Sequence, residues 1–65
     1  MRRRIGVIGT GAMGLAVAAR AVERGHTVNS RDIRPERDLL AQAAGAIVEP
    51  SPAAVAPVSD VVVTL

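Results

Sequence analysis

Val7-Ile8-Gly9-Thr10-Gly11-Ala12-Met13-Gly14 is the stretch that decides how this 65-residue sequence reads. A short β-branched run ends in the spacing G-x-G-x-x-G, and a segment of helical period begins inside that spacing. Strand, glycine turn and helix thus follow without a gap, an order that presents the free N–H groups of a helix start to a phosphate. Each glycine has a physical task. Gly9 makes the tight turn, Gly11 lets the backbone come close to a pyrophosphate, and Gly14 lets the helix pack closely on the sheet. Glycines alone could be no more than flexible turns in a small α/β domain. Asp32 argues for more, because it stands eighteen residues after Gly14, where an acid at the end of the next strand accepts hydrogen bonds from ribose hydroxyls. A carboxylate there could also cap a helix beginning near Pro35.

Outward from the motif, the apolar run Arg4 to Ile8 suits a strand buried on both faces of a parallel sheet. Ala12 to Arg24 has helical spacing, with Met13, Ala16, Val17 and Ala21, flanked by Leu15 and Val22, as its apolar side. Gly25 follows the last turn, where a left-handed residue is favoured. His26 to Asp32 reads as a weaker strand, in which only Val28 and the adjoining Ile33 are strongly apolar and Asn29 and Ser30 need partners if the strand is central. Pro35 opens a second helix of about ten residues, with Leu39, Leu40, Ala43 and Ala44 as its stripe and Gly45 closing it. Ala46 to Val48 is a third strand. Ser51-Pro52 caps and starts a third helix through Ala56, which Pro57 should end early. Asp60 to Leu65 carries Val61-Val62-Val63, the most strand-like run of all.

Strands and helices that alternate at this spacing imply right-handed crossovers. The expected fold is α/β, a Rossmann-type parallel sheet with helices on both faces, incomplete at about four strands. Because the sequence stops inside its best strand, residues 1–65 are expected to be the N-terminal part of a dinucleotide-binding domain, a fragment of something longer. The ends of the first and fourth strands should border the crevice, which brings Leu65 to the ribose or nicotinamide side.

Composition narrows the function further. Apolar residues make up 49% and charged residues 22%, a foldable balance. With no cysteine, neither a disulfide framework nor a Cys-based zinc site can hold the chain together. The net charge of +2 is carried by eight arginines and no lysine. Arg2, Arg3 and Arg4 stand together, yet no Phe, Trp or Tyr is present to stack on a base, so a nucleic-acid partner is not expected. The arginine triplet, the uncharged stretch from Ile5 to Ala19 and a small-residue site at Ala16-Val17-Ala18 have the outline of a signal peptide. Gly6, Gly9, Gly11 and Gly14 oppose an inserting helix, and the stretch falls short of the roughly 20 residues that span a bilayer. The expectation is a cytoplasmic location with no membrane partner.

Cofactor choice turns on Asp32, whose charge repels a 2′-phosphate and so favours NAD, against Arg31 and Arg34 on either side, which could pair with that phosphate and admit NADP. A solvated surface role is the plainer account of Arg34, Glu36 and Arg37. His26 falls in a turn at the end of the sheet away from ligands, and no metal-ligand spacing or triad is found. No catalytic residue is expected here.

The motif, with Glu23-Arg24-Gly25-His26-Thr27-Val28, Asp32-Ile33-Arg34-Pro35-Glu36, Gly45-Ala46, Ser51-Pro52-Ala53 and Ser59-Asp60-Val61-Val62-Val63, resembles the N-terminal part of the β-hydroxyacid dehydrogenases. That family includes 3-hydroxyisobutyrate dehydrogenase and tartronate semialdehyde reductase and is related to 6-phosphogluconate dehydrogenase. The resemblance implies hydride transfer between NAD or NADP and a small 3-hydroxy acid, performed by a complete, homo-oligomeric enzyme. It also implies a helical substrate domain and a catalytic lysine beyond residue 65; this chain has no lysine to take that role. The cofactor-binding residues implied are Gly9, Thr10, Gly11, Ala12, Met13, Gly14, Arg31, Asp32, Arg34 and Leu65. Thr10, where the family usually has leucine, Asn29 and Ser30, where it has hydrophobic residues, and Pro57 depart from its pattern. A stand-alone nucleotide-binding or regulatory module without catalysis is the alternative reading. Twelve alanines and no aromatic residue bury little apolar surface against roughly 1.5 kcal/mol of entropy per ordered residue, so marginal stability is expected.

Overall fold

Ile5 and Val7 lie in a strand whose two neighbours in the sheet supply β-branched or small side chains at matching positions, Val28 and Val61 beside Ile5, Ser30 and Val63 beside Val7. The computed structural model describes residues 2–65; Met1, which heads the arginine triplet, lies outside them. In chain order the elements are β1 (Arg4–Ile8), α1 (Ala12–Glu23), β2 (Thr27–Arg31), α2 (Pro35–Ala43), β3 (Ile47–Val48), α3 (Pro52–Val55), a 3-10 turn (Ala56–Val58) and β4 (Val61–Thr64). The sheet runs β3-β2-β1-β4 with every pair parallel. Val7 stands opposite Ser30 and Val63, and Gly6 opposite Asn29 and Val62.

Alternation along the strands sends these two sets to opposite faces. On one face Val7 and Val28 pack with Ala18 and Ala21 of α1, Ala41 of α2 and Ala46. On the other, α3 and the 3-10 turn lie so close to β1 that a Cβ on Gly6 would come within 2.5 Å of Ser59 Oγ and 2.6 Å of Val55 Cγ1. Helices therefore cover both faces, as expected. The small residues bring helix and sheet together, and the same smallness keeps the core thin.

Element ends follow from where single N–H groups go. His26 N–H closes α1 by donating to Ala21 O (3.0 Å), so β2 starts at Thr27, and Gly25 between them has φ +88°. Ala46 N–H donates to Ala41 O (3.0 Å) and is lost to the sheet, which leaves β3 two residues. Asp32 N–H donates to Asp38 Oδ1 (2.9 Å), which ends β2 at Arg31. Ser51 Oγ accepts the Ala54 N–H (3.2 Å) and starts α3. Pro57 has no N–H to continue an α-helix, and the chain tightens into the 3-10 turn there.

Two apolar stripes differ from the sequence reading. On α1 the buried residues are Gly14, Ala18 and Ala21, while Met13 is 70% exposed and Ala16 is also at the surface. Met13 sits in the first turn, above the end of the strands and beyond their packed face. On α2 the buried residues are Asp38 and Ala41, whereas Leu39, Leu40 and Ala43 are exposed. Asp38 turns the helix this way, because its carboxylate reaches back to Asp32 N–H and to Arg31 Nη1 (3.5 Å). In β2, Asn29 Nδ2 donates to Val58 O (3.2 Å), which resolves one of the two polar residues of that strand. Ser30 Oγ is buried with no partner among the described residues. None of the described helices is long and apolar enough to cross a membrane.

Candidate functional site

The chain leaves β1 at Gly9, whose φ of +93° is open to glycine and strained for other residues. Gly9 N–H still donates to Arg31 O (3.0 Å), so the turn stays fastened to β2. Thr10 is fully buried beneath the turn, and Gly11 precedes the first residue of α1. A Cβ on Gly14 would overlap the Gly9 carbonyl oxygen, so only glycine lets the helix start this near the end of the strand. Above Gly11 the space is open, with Arg34 Nη2 the nearest atom to a Cβ placed there, at 3.6 Å.

The first turn of α1 carries no acidic residue and no side-chain cap. The N–H groups of Ala12, Met13 and Gly14 have no backbone or side-chain acceptor among the described residues, as geometry dictates for a helix start. They leave a positive helix end facing the cleft. A pyrophosphate fits this cradle, which a side chain at either Gly9 or Gly14 would distort.

Asp32 closes the other side. Its side chain is 4% exposed. Oδ1 accepts Arg34 N–H (2.8 Å) and Arg34 Nε (3.2 Å); Oδ2 accepts Thr10 N–H (2.7 Å), the Thr10 hydroxyl (3.4 Å) and Arg34 Nη2 (3.4 Å). The Arg34 guanidinium, then the Arg34 N–H, holds the Asp32 carboxyl well below the usual carboxylate range, against the opposing effect of burial. The same pairing raises Arg34. Asp32 thus joins the glycine turn to Arg34, the residue that precedes α2, and it does not cap the helix itself, whose start has no side-chain cap.

A cleft of about 670 Å³ opens at the carboxyl ends of the strands. Of the residues expected there from sequence, Gly9, Gly11, Ala12, Met13, Gly14, Arg31, Asp32, Arg34 and Leu65 line it. Thr10 lies under the turn and acts on the cleft only through Asp32. Leu65 N–H donates to Ile8 O (3.0 Å), which sets its side chain beside Gly14. Arg31 lines the wall but spends Nη1 on Glu49 O (3.3 Å) and Asp38 Oδ2.

Sequence reading missed Ile8, Ile33 and Pro52 on the lining, and Asp38 behind it. Ile8 and Ile33 adjoin the motif and the acid and could have been read from that adjacency. Pro52 arrives from the far side of the sheet, and Asp38 acts through a fold-dependent bond, so neither had a local signal. His26 lies at the opposite end of the strands, where its Nδ1 accepts the Arg3 N–H (3.0 Å). Among the described residues, no three His, Cys, Asp or Glu side chains gather where a metal could be held.

A glycine turn feeding a helix start, an acid at the end of the adjacent strand and a cleft across the carboxyl ends of a parallel sheet define a Rossmann-type dinucleotide-binding fold. Residues 4–65 match the family described as the NAD binding domain of 6-phosphogluconate dehydrogenase, and the chain belongs to that family. It is 45% identical to L-threonate dehydrogenase of Cupriavidus necator over 65 residues, which are 100% of this chain and 22% of that protein. It is 42% identical to the probable 3-hydroxyisobutyrate dehydrogenase-like 3, mitochondrial, of Arabidopsis thaliana, over 98% of this chain and 20% of that protein. The structure of Mycobacterium tuberculosis 3-hydroxyisobutyrate dehydrogenase with L-serine superposes with a TM-score of 0.96 at 34% identity, over 100% of this chain and 22% of that one. The chain spans about a fifth of the length of these relatives.

Proposed function

We propose that these residues are the cofactor-holding N-terminal part of an oxidoreductase that moves a hydride between a nicotinamide dinucleotide and a small 3-hydroxy acid. The observation that carries this reading is the uncapped start of α1, opening into the cleft beside Asp32. The N–H groups from Gly11 to Gly14 would hold the pyrophosphate, Asp32 the adenosine ribose, and Leu65 would border the nicotinamide half. When bound, the nicotinamide supplies the hydride donor or acceptor. The chain's own residues bind and orient; none of them is a proton donor aimed at a substrate, and the acid–base group belongs to the longer enzyme. A 3-hydroxy acid as substrate is supported by the names of the relatives and by the L-serine in the tuberculosis structure, itself a 3-hydroxy acid. NAD is the preferred form in this reading, because a carboxylate at the ribose end disfavours a 2′-phosphate.

An amide proton–nitrogen NMR titration with NAD tests the binding. Shifts concentrated at Gly9 to Gly14 and Asp32 are expected. Shifts that leave these amides still, or no binding at millimolar NAD, would overturn the reading.

A further inference from the structure

We infer that Asp60, paired with Arg4, is a positioning residue: from the far end of β4 it fixes the register that sets Leu65 in the wall of the cleft. The inference rests on the dinucleotide reading above for what the cleft holds, whereas the register is a property of the chain itself.

Burial does not choose that register. β4 is an edge strand paired with β1 alone, and none of its residues is buried. A one-residue slip ordinarily turns the apolar side chains of a strand to the wrong face. Here it exchanges valine for valine along Val61-Val62-Val63. The backbone bonds of a parallel pair are evenly spaced and recur after a slip, so they do not choose either. The choice falls to the residues just before the strand. Asp60 N–H donates to Arg4 O (2.7 Å), and Asp60 Oδ2 accepts Arg4 N–H (2.9 Å). The guanidinium donates to Oδ1 from Nη2 (2.9 Å) and to Oδ2 from Nε (3.5 Å). A slip of one residue moves the carboxylate about 3.3 Å along the strand and breaks these bonds. Neither neighbour can replace it, because Ser59 Oγ donates to Val55 O (2.7 Å) and Val61 has no polar side chain. An exposed ion pair contributes little to overall stability. Selecting one register among near-equivalent ones requires only a small difference, and of Arg2, Arg3 and Arg4 only Arg4 has a carboxylate partner among the described residues.

The consequence falls at the opposite end of β4, roughly 16 Å away at the rise of an extended strand. Leu65 N–H donates to Ile8 O (3.0 Å). A Cβ placed on Gly9 would lie 2.8 Å from Leu65 O, and one placed on Gly14 would lie 3.3 Å from Leu65 Cδ1. Leu65 is therefore seated against two glycines of the phosphate turn, where it lines the cleft. Slipped one way, β4 puts Thr64 in that place; slipped the other way, Leu65 falls back beside Ile8. Either slip changes the wall of the cleft. Asp60 is not among the residues lining the cleft and acts on it only through the strand.

Cross-strand nuclear Overhauser contacts, with NAD titrations followed by amide shifts, test this for the natural sequence, Asp60→Ala and Glu23→Gln. Glu23→Gln removes the other exposed arginine pair, with Arg20, away from β4. In the natural sequence Ile5 should pair with Val61 and Ile8 with Thr64. In Asp60→Ala these contacts are expected to move by one residue or to share the spectrum with a second set, while the pairing of Ile5 with Val28 stays. NAD affinity is expected to fall about tenfold, the equivalent of one lost apolar side-chain contact. Adding Leu65→Ala to Asp60→Ala should lower it no further than Leu65→Ala alone, because both act through one wall. Unmoved β4 contacts in Asp60→Ala, an equal displacement in Glu23→Gln, or additive losses in the double variant overturn the inference. If Asp60→Ala does not fold, Asp60→Asn, which loses the ion pair but can still accept Arg4 N–H, must show the second set of contacts; a single unchanged set there overturns it. If the natural sequence does not bind NAD, the dinucleotide reading fails, and the β4 contacts still decide whether Asp60 sets the place of Leu65.

Discussion

Asp32 ties the glycine turn to the start of α2 through one carboxylate, and the direction of its pKa fixes how the site answers to acid. Its folded-state pKa lies below the ordinary value, so its bonds contribute stability that is complete above the ordinary carboxylate range and is lost as pH falls through the folded value. Asp60 has the same sign, because the Arg4 guanidinium and N–H lower it. The Thr10 amide environment is expected to hold constant from pH 8 to 5 and to change only in strong acid. A carboxyl-carbon NMR titration checks this; an Asp32 midpoint at or above about 4 would show that the pair with Arg34 does not form in solution. Asp32 was legible in the sequence from its spacing to the glycines. Its five donors were not, because Thr10 approaches from another element and Arg34 folds back only once Pro35 has set the chain direction.

At the scale of elements, the joint between β2 and α2 rests on Asp38. This residue belongs to the first turn of α2, where its charge also suits the helix dipole, and it takes the Asp32 N–H that would otherwise be left unpaired at the strand end. Asp38→Ala removes that acceptor and the contact to Arg31 together. Leaving one buried donor unsatisfied costs about 1–3 kcal/mol, and the loss is expected both in urea unfolding and as faster hydrogen exchange of the Asp32 amide. Unchanged exchange at Asp32 would mean that water serves the N–H as well as Asp38 does. Helical period alone favoured Leu39, Leu40, Ala43 and Ala44 as the buried stripe. The period is the same whichever side faces the sheet; one buried hydrogen bond chose the side with Asp38 and Ala41.

Across the whole molecule, the fully buried side chains are small, and large apolar ones lie outside. Val7, Val28 and Val55 are the bulkiest buried hydrophobics, whereas Ile33 is 88% and Leu39 66% exposed. The edge strand β4 leaves Val61 and Val62 about half uncovered. Burial scales with the area removed from water, so the 65-residue chain by itself is expected to melt below about 60 °C, within or under the usual range for small domains. Thermal unfolding followed by circular dichroism tests this, and a sharp transition well above that temperature would contradict it.

The sequence by itself determined the order of strands and helices, the glycine turn at Gly9 to Gly14 and the acid at Asp32. These depend on local conformational freedom and on spacing along the chain, both of which are written in neighbouring residues. Tertiary structure alone decided that Met13 and Leu39 face outward, that Pro52 reaches the cleft and that Arg34 pairs with Asp32 over Gly11. Those outcomes require segments distant in sequence, or folding back on themselves, to compete for the same donors, acceptors and packed surface, and that competition exists only once the sheet has formed.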